Sequence, residues 1–192
     1  MTSPPPRRSL EELLPTVVAL FTERGYDATS MEDIARATGR TKSAVYHHVS
    51  GKEELLRLAI ARAVDALSAV LTESAAVDGR AADRLEHVVR RSVEVLAEQQ
   101  PYVTLLLRVR GNTQAEQWAL EQRRGIDRRL TALVAAAIAE GDLRTDLDPP
   151  VVTRLLFGTI NSLVEWWRPT GAASVTAMAD SIVALAFTGL RR

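Results

Sequence analysis

Apolar side chains recur along this chain every three or four residues, from Leu10 almost to its far end. Leu10, Leu13, Leu14, Val17, Val18 and Phe21 open the series. That interval lines one side of a helix, because about 3.6 residues complete a turn. Valine is common, yet it keeps the helical interval instead of alternating with polar residues, so strands are not expected. The chain reads as all-α with about nine helices, short before residue 50 and long and Ala/Leu/Val-rich after it.

Caps and breakers set the expected boundaries. Ser9 and Glu12 have the spacing of a capping box ahead of the first helix, and Gly25 ends it. Pro15 is awkward there: either the regular helix starts at Pro15 or it bends. Thr29 with Glu32 and Ser30 with Asp33 both have cap spacing for a second helix that reaches Thr38. Gly39 makes a turn, and Thr41 caps a third helix through about His47. Ser50 and Glu53 open a fourth over 52–72. After a break at Gly79, helices are expected over 81–99, 102–110 and 113–139, stopped by Pro101, Gly111 and Gly141. Pro149 and Pro150 start a strongly apolar helix to residue 168, ended by Pro169 and Gly171, and the last covers 174–190.

Composition narrows the chemistry. Apolar residues make up 46% of the 192, and lysine plus arginine balance aspartate plus glutamate at 24 each. Affinity for an anionic partner must therefore come from local arrangement rather than net charge. There is no cysteine, which excludes disulfides and thiolate-bound zinc. No apolar run approaches the roughly 20 residues of a membrane span, nor does one behind Arg7 and Arg8 suit a signal peptide. A soluble cytoplasmic protein is expected, with no membrane partner. No metal-spaced cluster, glycine-rich phosphate loop or nucleophile motif occurs, so neither a cofactor nor an enzyme activity is expected. His47 and His48 are neighbours, about 100° apart around a helix, and cannot chelate one metal.

One segment breaks the even mixture of charges. Residues 34–52 hold Arg36, Arg40, Lys42 and Lys52, two histidines and Tyr46, with no acid. Two short helices around a glycine turn, free of carboxylates, fit a helix-turn-helix whose second helix enters the major groove of DNA. The reading positions would be Thr41, Lys42, Ser43, Tyr46 and His47, with Arg40 beside them. Lys42 can reach a guanine edge or a phosphate, and the small Thr41 and Ser43 let the backbone approach. Tyr46 carries a hydroxyl on a rigid arm suited to a phosphate. Thr29 and Lys52, at helix starts where free N–H groups favour anions, are further phosphate candidates.

The run GYDATSMEDIARATG at 25–39, TKSAVYHHV at 41–49 and SGKEELL at 50–56 resembles the TetR (tetracycline-repressor-like) family of transcriptional regulators. Arg40 stands where that family usually has an apolar residue, and Val49 where it usually has phenylalanine. The resemblance implies a homodimer that binds a palindromic double-stranded operator and leaves it when a small molecule occupies the C-terminal body. The expected organisation is a disordered arm at 1–8, a DNA-binding domain at 9–51 and a ligand-binding and dimerisation domain at 52–192. The alternative is a DNA-binding dimer without a small ligand, with an architectural role or under protein control.

The last two expected helices are apolar on more than one side, which suits a four-helix bundle between two chains. Leu155, Leu163, Trp167, Met178, Ile182 and Leu185 are the interface candidates. For the effector, Tyr102, Leu106, Trp118 and Phe157 would line an apolar cavity, with Arg108, Gln122, Asn161, Glu165 and Trp166 as its polar or stacking members. The segment 157–171 is similar to that of members sensing acyl-CoA thioesters. A tryptophan stacked on adenine and Arg108 or Arg168 on a phosphate would serve such a ligand.

Overall fold

The computed structural model describes residues 8–168, 171 and 173–190. Among these the secondary structure is ten helices and no strand. They are α1 (Arg8–Arg24), α2 (Met31–Ala37), α3 (Lys42–Tyr46), α4 (Lys52–Val70), α5 (Ser74–Val77), α6 (Ala81–Glu98), α7 (Gln100–Arg108), α8 (Gln114–Ala139), α9 (Pro149–Trp166) and α10 (Val175–Leu190).

The extra helix is α5, a single turn closed by the Asp78 N–H on the Ser74 carbonyl at 2.8 Å, just ahead of Gly79. Several boundaries shift for local reasons. α1 is already helical at Arg8, one residue ahead of Ser9, and Pro15 sits within a continuous α1. α7 takes Pro101 into its first turn, where the missing N–H breaks no helical bond. The hydroxyl of Ser50 donates to Glu54 at 2.7 Å, not to Glu53. The arm expected at 1–8, apart from Arg8, and Pro169 lie outside the described residues.

The chain forms two compact units. One runs through Ala63 and takes in Pro101–Leu120; the other takes Val64–Gln100 and continues from Glu121. The first has a core in which Leu13, Val17, Val18, Ile34, Val45, Leu55, Leu56 and Ile60 are at most 2% exposed. Phe21 closes it with an edge-to-face contact on Tyr26, ring centres 5.3 Å apart.

In the second unit α6 packs on α5, α9 and α10. Its inward residues Leu85, Val88, Val89, Val93 and Leu96 recur at three and four and are buried. No side chain of Arg80 caps α6; the carboxylate of Glu140 accepts the Ala81 N–H at 2.8 Å instead. α9 starts on Pro149, and buried Thr153 satisfies its hydroxyl on the Pro149 carbonyl at 2.9 Å. Ion pairs tie the surface together: Arg90 reaches Glu86 at 3.1 Å and also Asp180 of α10, and Arg80 meets Asp142 at 2.8 Å.

Glu73, at the start of α5, accepts from His87 at 2.7 Å and from Arg91 at 3.1 Å, both on α6. Burial alone would raise its pKa, but those bonds outweigh it and hold the carboxyl below the ordinary 4.5. Its contribution to stability is thus complete above about pH 4.5 and fades as the pH falls through the lower native value. Glu73→Gln should cost about 1 kcal/mol at pH 7. In thermal melts, its deficit against wild type should close on acidification below pH 4.5; a deficit independent of pH would refute the assignment.

Candidate nucleic-acid interface

The turn between α2 and α3 is built by backbone geometry. Ser30 caps α2 through a reciprocal pair: the Asp33 N–H donates to Ser30 Oγ at 3.1 Å, and the Ser30 N–H to Asp33 Oδ2 at 3.0 Å. At the other end the Arg40 N–H bonds the Ala35 carbonyl at 2.9 Å and the Gly39 N–H the Arg36 carbonyl at 3.3 Å. This is a Schellman closure, and it needs the left-handed φ of 64° that Gly39 adopts. Thr41 then caps α3 by accepting the Ala44 N–H at 3.2 Å.

α3 has five residues and presents one of them, Val45, fully buried, to the core. The expected reading positions are all on its outside: Thr41, Lys42, Ser43, Tyr46 and His47 are exposed, Tyr46 at 45%. The Lys42 ammonium lies 6.0 Å from the centre of the Tyr46 ring.

Two of the eight expected contacts are committed elsewhere. Thr29 is buried, and its hydroxyl donates to the Gly25 carbonyl at 2.7 Å. The Lys52 ammonium lies 4.2 Å from the Tyr26 ring centre and donates to the Tyr26 carbonyl at 2.8 Å. It clamps the chain after α1 onto the start of α4. Folding also brings acids to a segment that has none in sequence. Arg40 pairs with Glu12 of α1 at 3.2 Å, Arg36 with Asp33 at 3.4 Å, and Lys42 with Glu32. The Lys42 bond holds the Glu32 carboxyl below its usual range, and Glu32 raises Lys42 in return, so both are charged at neutral pH.

Residues 101–120 are part of the same unit. Glu53 accepts the Ala115 N–H at 3.0 Å and so caps α8, which is why Ser50 finds Glu54 instead. The Arg57 guanidinium stacks 3.5 Å above the Trp118 ring, and Arg62 lies 4.5 Å from the Tyr102 ring centre. Arg108 donates to the Thr22 carbonyl at the end of α1, at 2.9 Å.

The nine expected ligand residues divide between the units. Tyr102 and Leu106 (both buried), Trp118 under Arg57, and Arg108 on Thr22 belong with the helix-turn-helix. Arg108 is therefore a brace for α1. Gln122 lines an open groove of about 480 Å3 in the second unit. Phe157 and Asn161 are half-buried on α9, whereas Glu165 and Trp166 are exposed. That groove is also lined by Arg128 and Arg129, which belong to the run RRGIDRR at 123–129.

The expected interface residues divide as well. Leu155 and Leu185 are 67% and 77% exposed. Leu163, Trp167 and Ile182 are buried within the protomer, Trp167 donating its indole N–H to the Ala173 carbonyl at 3.2 Å, and Met178 is half-buried. The apolar excess of these helices is partly the protomer's own core. No group of three or more metal-ligating side chains occurs among the described residues, and no helix there is long and apolar enough to cross a membrane.

Two family profiles cover most of the chain. One described as bacterial regulatory proteins of the tetR family matches residues 13–59, and one described as the tetracyclin repressor-like C-terminal domain matches 78–190. The HTH-type transcriptional repressor KstR2 of Rhodococcus jostii is 29% identical over 184 residues, 93% of this chain and 89% of that protein. A crystal structure of a TetR transcriptional regulator from Streptomyces coelicolor A3 is 52% identical, with a TM-score of 0.88 over 100% of this chain and 94% of that one. AibR, solved in complex with isovaleryl coenzyme A and operator DNA, shares the fold at 23% identity, with a TM-score of 0.81 over 93% and 97% of the two chains.

Gly39→Ala isolates the turn. A Cβ there would meet no atom within 4 Å, so the penalty is purely the left-handed backbone, about 1 kcal/mol. Chemical denaturation should show that loss; an unchanged midpoint would mean that the turn tolerates another conformation.

Proposed function

The chain belongs to the TetR family of bacterial transcriptional regulators, and we propose that it is a repressor that binds a palindromic operator as a homodimer and is released by a small molecule, an acyl-CoA thioester. The observation that carries the DNA reading is the outer face of α3. Its cation, hydroxyls, phenol and imidazole point to solvent from a helix held by one buried valine. Lys42 and Tyr46 suit phosphates or a guanine edge, and Thr41 and Ser43 allow close approach. Arg40, held by Glu12, contributes positive potential beside them.

A half-site offers few contacts, so a second copy is required. Two-fold symmetry sets two reading helices about 34–36 Å apart, one turn of DNA. Val151, Leu155 and Trp166 on α9 and Leu185 on α10 are large, apolar and between 48% and 77% exposed, which suits a face covered by a partner copy. The thioester reading draws on AibR, whose complex holds isovaleryl coenzyme A with operator DNA, and the repressor reading on the likeness to KstR2. The effector works by preferring the conformation that cannot bind DNA; about 3 kcal/mol of preference changes operator affinity roughly 150-fold.

Three measurements on full-length protein test the reading. Lys42→Ala should weaken operator binding and reduce the slope of log affinity against log salt by about 1. Glu32→Gln, which frees Lys42 from its acid, should tighten binding about two- to five-fold at low salt. Leu185→Glu should give monomers in sedimentation and lose operator binding. Wild-type affinity in the Lys42 variant would remove α3 from the DNA, and a dimeric Leu185 variant would remove α10 from the interface.

A further inference from the structure

Four arginines of the second unit have carboxylate partners. Arg80 has Asp142, Arg90 has Glu86 and Asp180, Arg91 has Glu73 and Glu94, and Arg144 has Asp146. One stretch of α8 departs from this. Arg123, Arg124, Arg128 and Arg129 fall within about 9 Å of helix, with Asp127 as the sole acid between them. Among the described residues none of the four forms an ion pair. Arg123 is half-buried at a position continuing the inward series of Ala119, Leu130 and Val134, and burial lowers its pKa despite the nearby Asp127. A chain of zero net charge has carboxylates to spare for such a cluster, yet among the described residues none sits within ion-pair distance of it.

The same stretch forms one wall of the open groove. Ser68 of α4 faces Gln122, Gly125, Ile126, Arg128 and Arg129 of α8 across about 480 Å3. The groove thus offers a hydroxyl, an amide and two guanidiniums beside a small apolar floor. Gly125 lies mid-helix, where glycine weakens the helix. No packing demands it: an added Cβ would find only Arg128 Nη2, at 3.9 Å. What its bare backbone provides is room in the groove. The two arginines differ. Among the described residues Arg128 has no hydrogen bond or ion pair, whereas Arg129 donates from Nη2 to the Leu71 carbonyl at 3.0 Å, immediately beyond the last residue of α4.

We propose that this groove binds the phosphate-bearing end of the effector, with Arg128 as its contact and Arg129 as the link to α4. The inference rests on the thioester reading and gives its nucleotide end a site. A guanidinium binds a phosphate through paired charge-assisted bonds, stronger than one bond to a neutral carbonyl. Occupancy therefore draws Arg129 from Leu71 and leaves the last turn of α4 without that anchor. The first turn of α4 starts at Lys52, just after the reading helix, so this helix is the element whose equilibrium the anion biases.

The test uses full-length protein, an operator duplex and three probes: coenzyme A, ADP, and a panel of acyl-CoA thioesters that includes isovaleryl-CoA. Wild type should bind coenzyme A and ADP by calorimetry. Arg128→Gln and Gly125→Leu should each weaken that binding at least about tenfold, with unchanged helicity and operator affinity in the absence of ligand. Arg129→Gln should keep most coenzyme A binding through Arg128 but lose thioester-driven release of the operator. If thioesters release wild type and all three variants alike, the groove is not the site, and the thioester reading survives. If wild type binds neither coenzyme A nor ADP, the groove proposal falls; thioesters that also fail to release the operator then overturn the effector reading itself.

Discussion

A helix of five residues cannot hold itself. Nucleating a helical turn costs more than one or two hydrogen bonds return, so α3 exists because its surroundings impose it. Three things do so: the Schellman turn at Gly39, the hydroxyl of Thr41 on Ala44, and Val45 sunk into the core of the N-terminal unit. Each acts on a different part of the helix, its entry direction, its first turn and its rotation about its own axis. Any of the outward residues is useful only while all three hold. The exposed face of α3 is thus a product of packing beneath it rather than of the residues that form it.

Charge around that surface is more balanced than the sequence suggests. Residues 34–52 hold no acid of their own, yet in space Glu12, Glu32 and Asp33 stand beside Arg40, Lys42 and Arg36. Exposed pairs of this sort contribute little to stability. Their effect falls on association: in the proposed complex, Lys42 exchanges the Glu32 carboxylate for a phosphate. That exchange moderates non-specific affinity, which depends on phosphate contacts alone.

The helical class, the glycine turn and the outward set on α3 were legible because they follow from local rules of period, cap and left-handed glycine. The capping box of Ser30 and Asp33 is of this kind. What local rules could not supply was competition between distant partners. Glu53 has the spacing to cap α4, yet it caps α8, 62 positions along the chain. Lys52 has the place of a phosphate ligand, yet Tyr26 takes it. Arg108 ends a helix beside apolar residues, as a pocket residue would, and braces Thr22. Apolar excess on α9 and α10 likewise could not be divided in advance between core and interface. Leu163 on α9 and Trp167 just beyond its end went inward, and Leu155 on the same helix outward.

The contacts of Glu53 and Arg57 with the start of α8 bear on how this regulator can be recombined. The sequence segment that carries the helix-turn-helix is not a free-standing cassette, because Ala115 and Trp118 complete it from far along the chain. A hybrid made by splicing the first sixty or so residues onto another member's body would inherit a foreign lid in place of 101–120. On the proposed reading, transplanting operator preference between relatives calls for two grafted stretches, or for exchanging only the five exposed residues in and beside α3, Thr41, Lys42, Ser43, Tyr46 and His47.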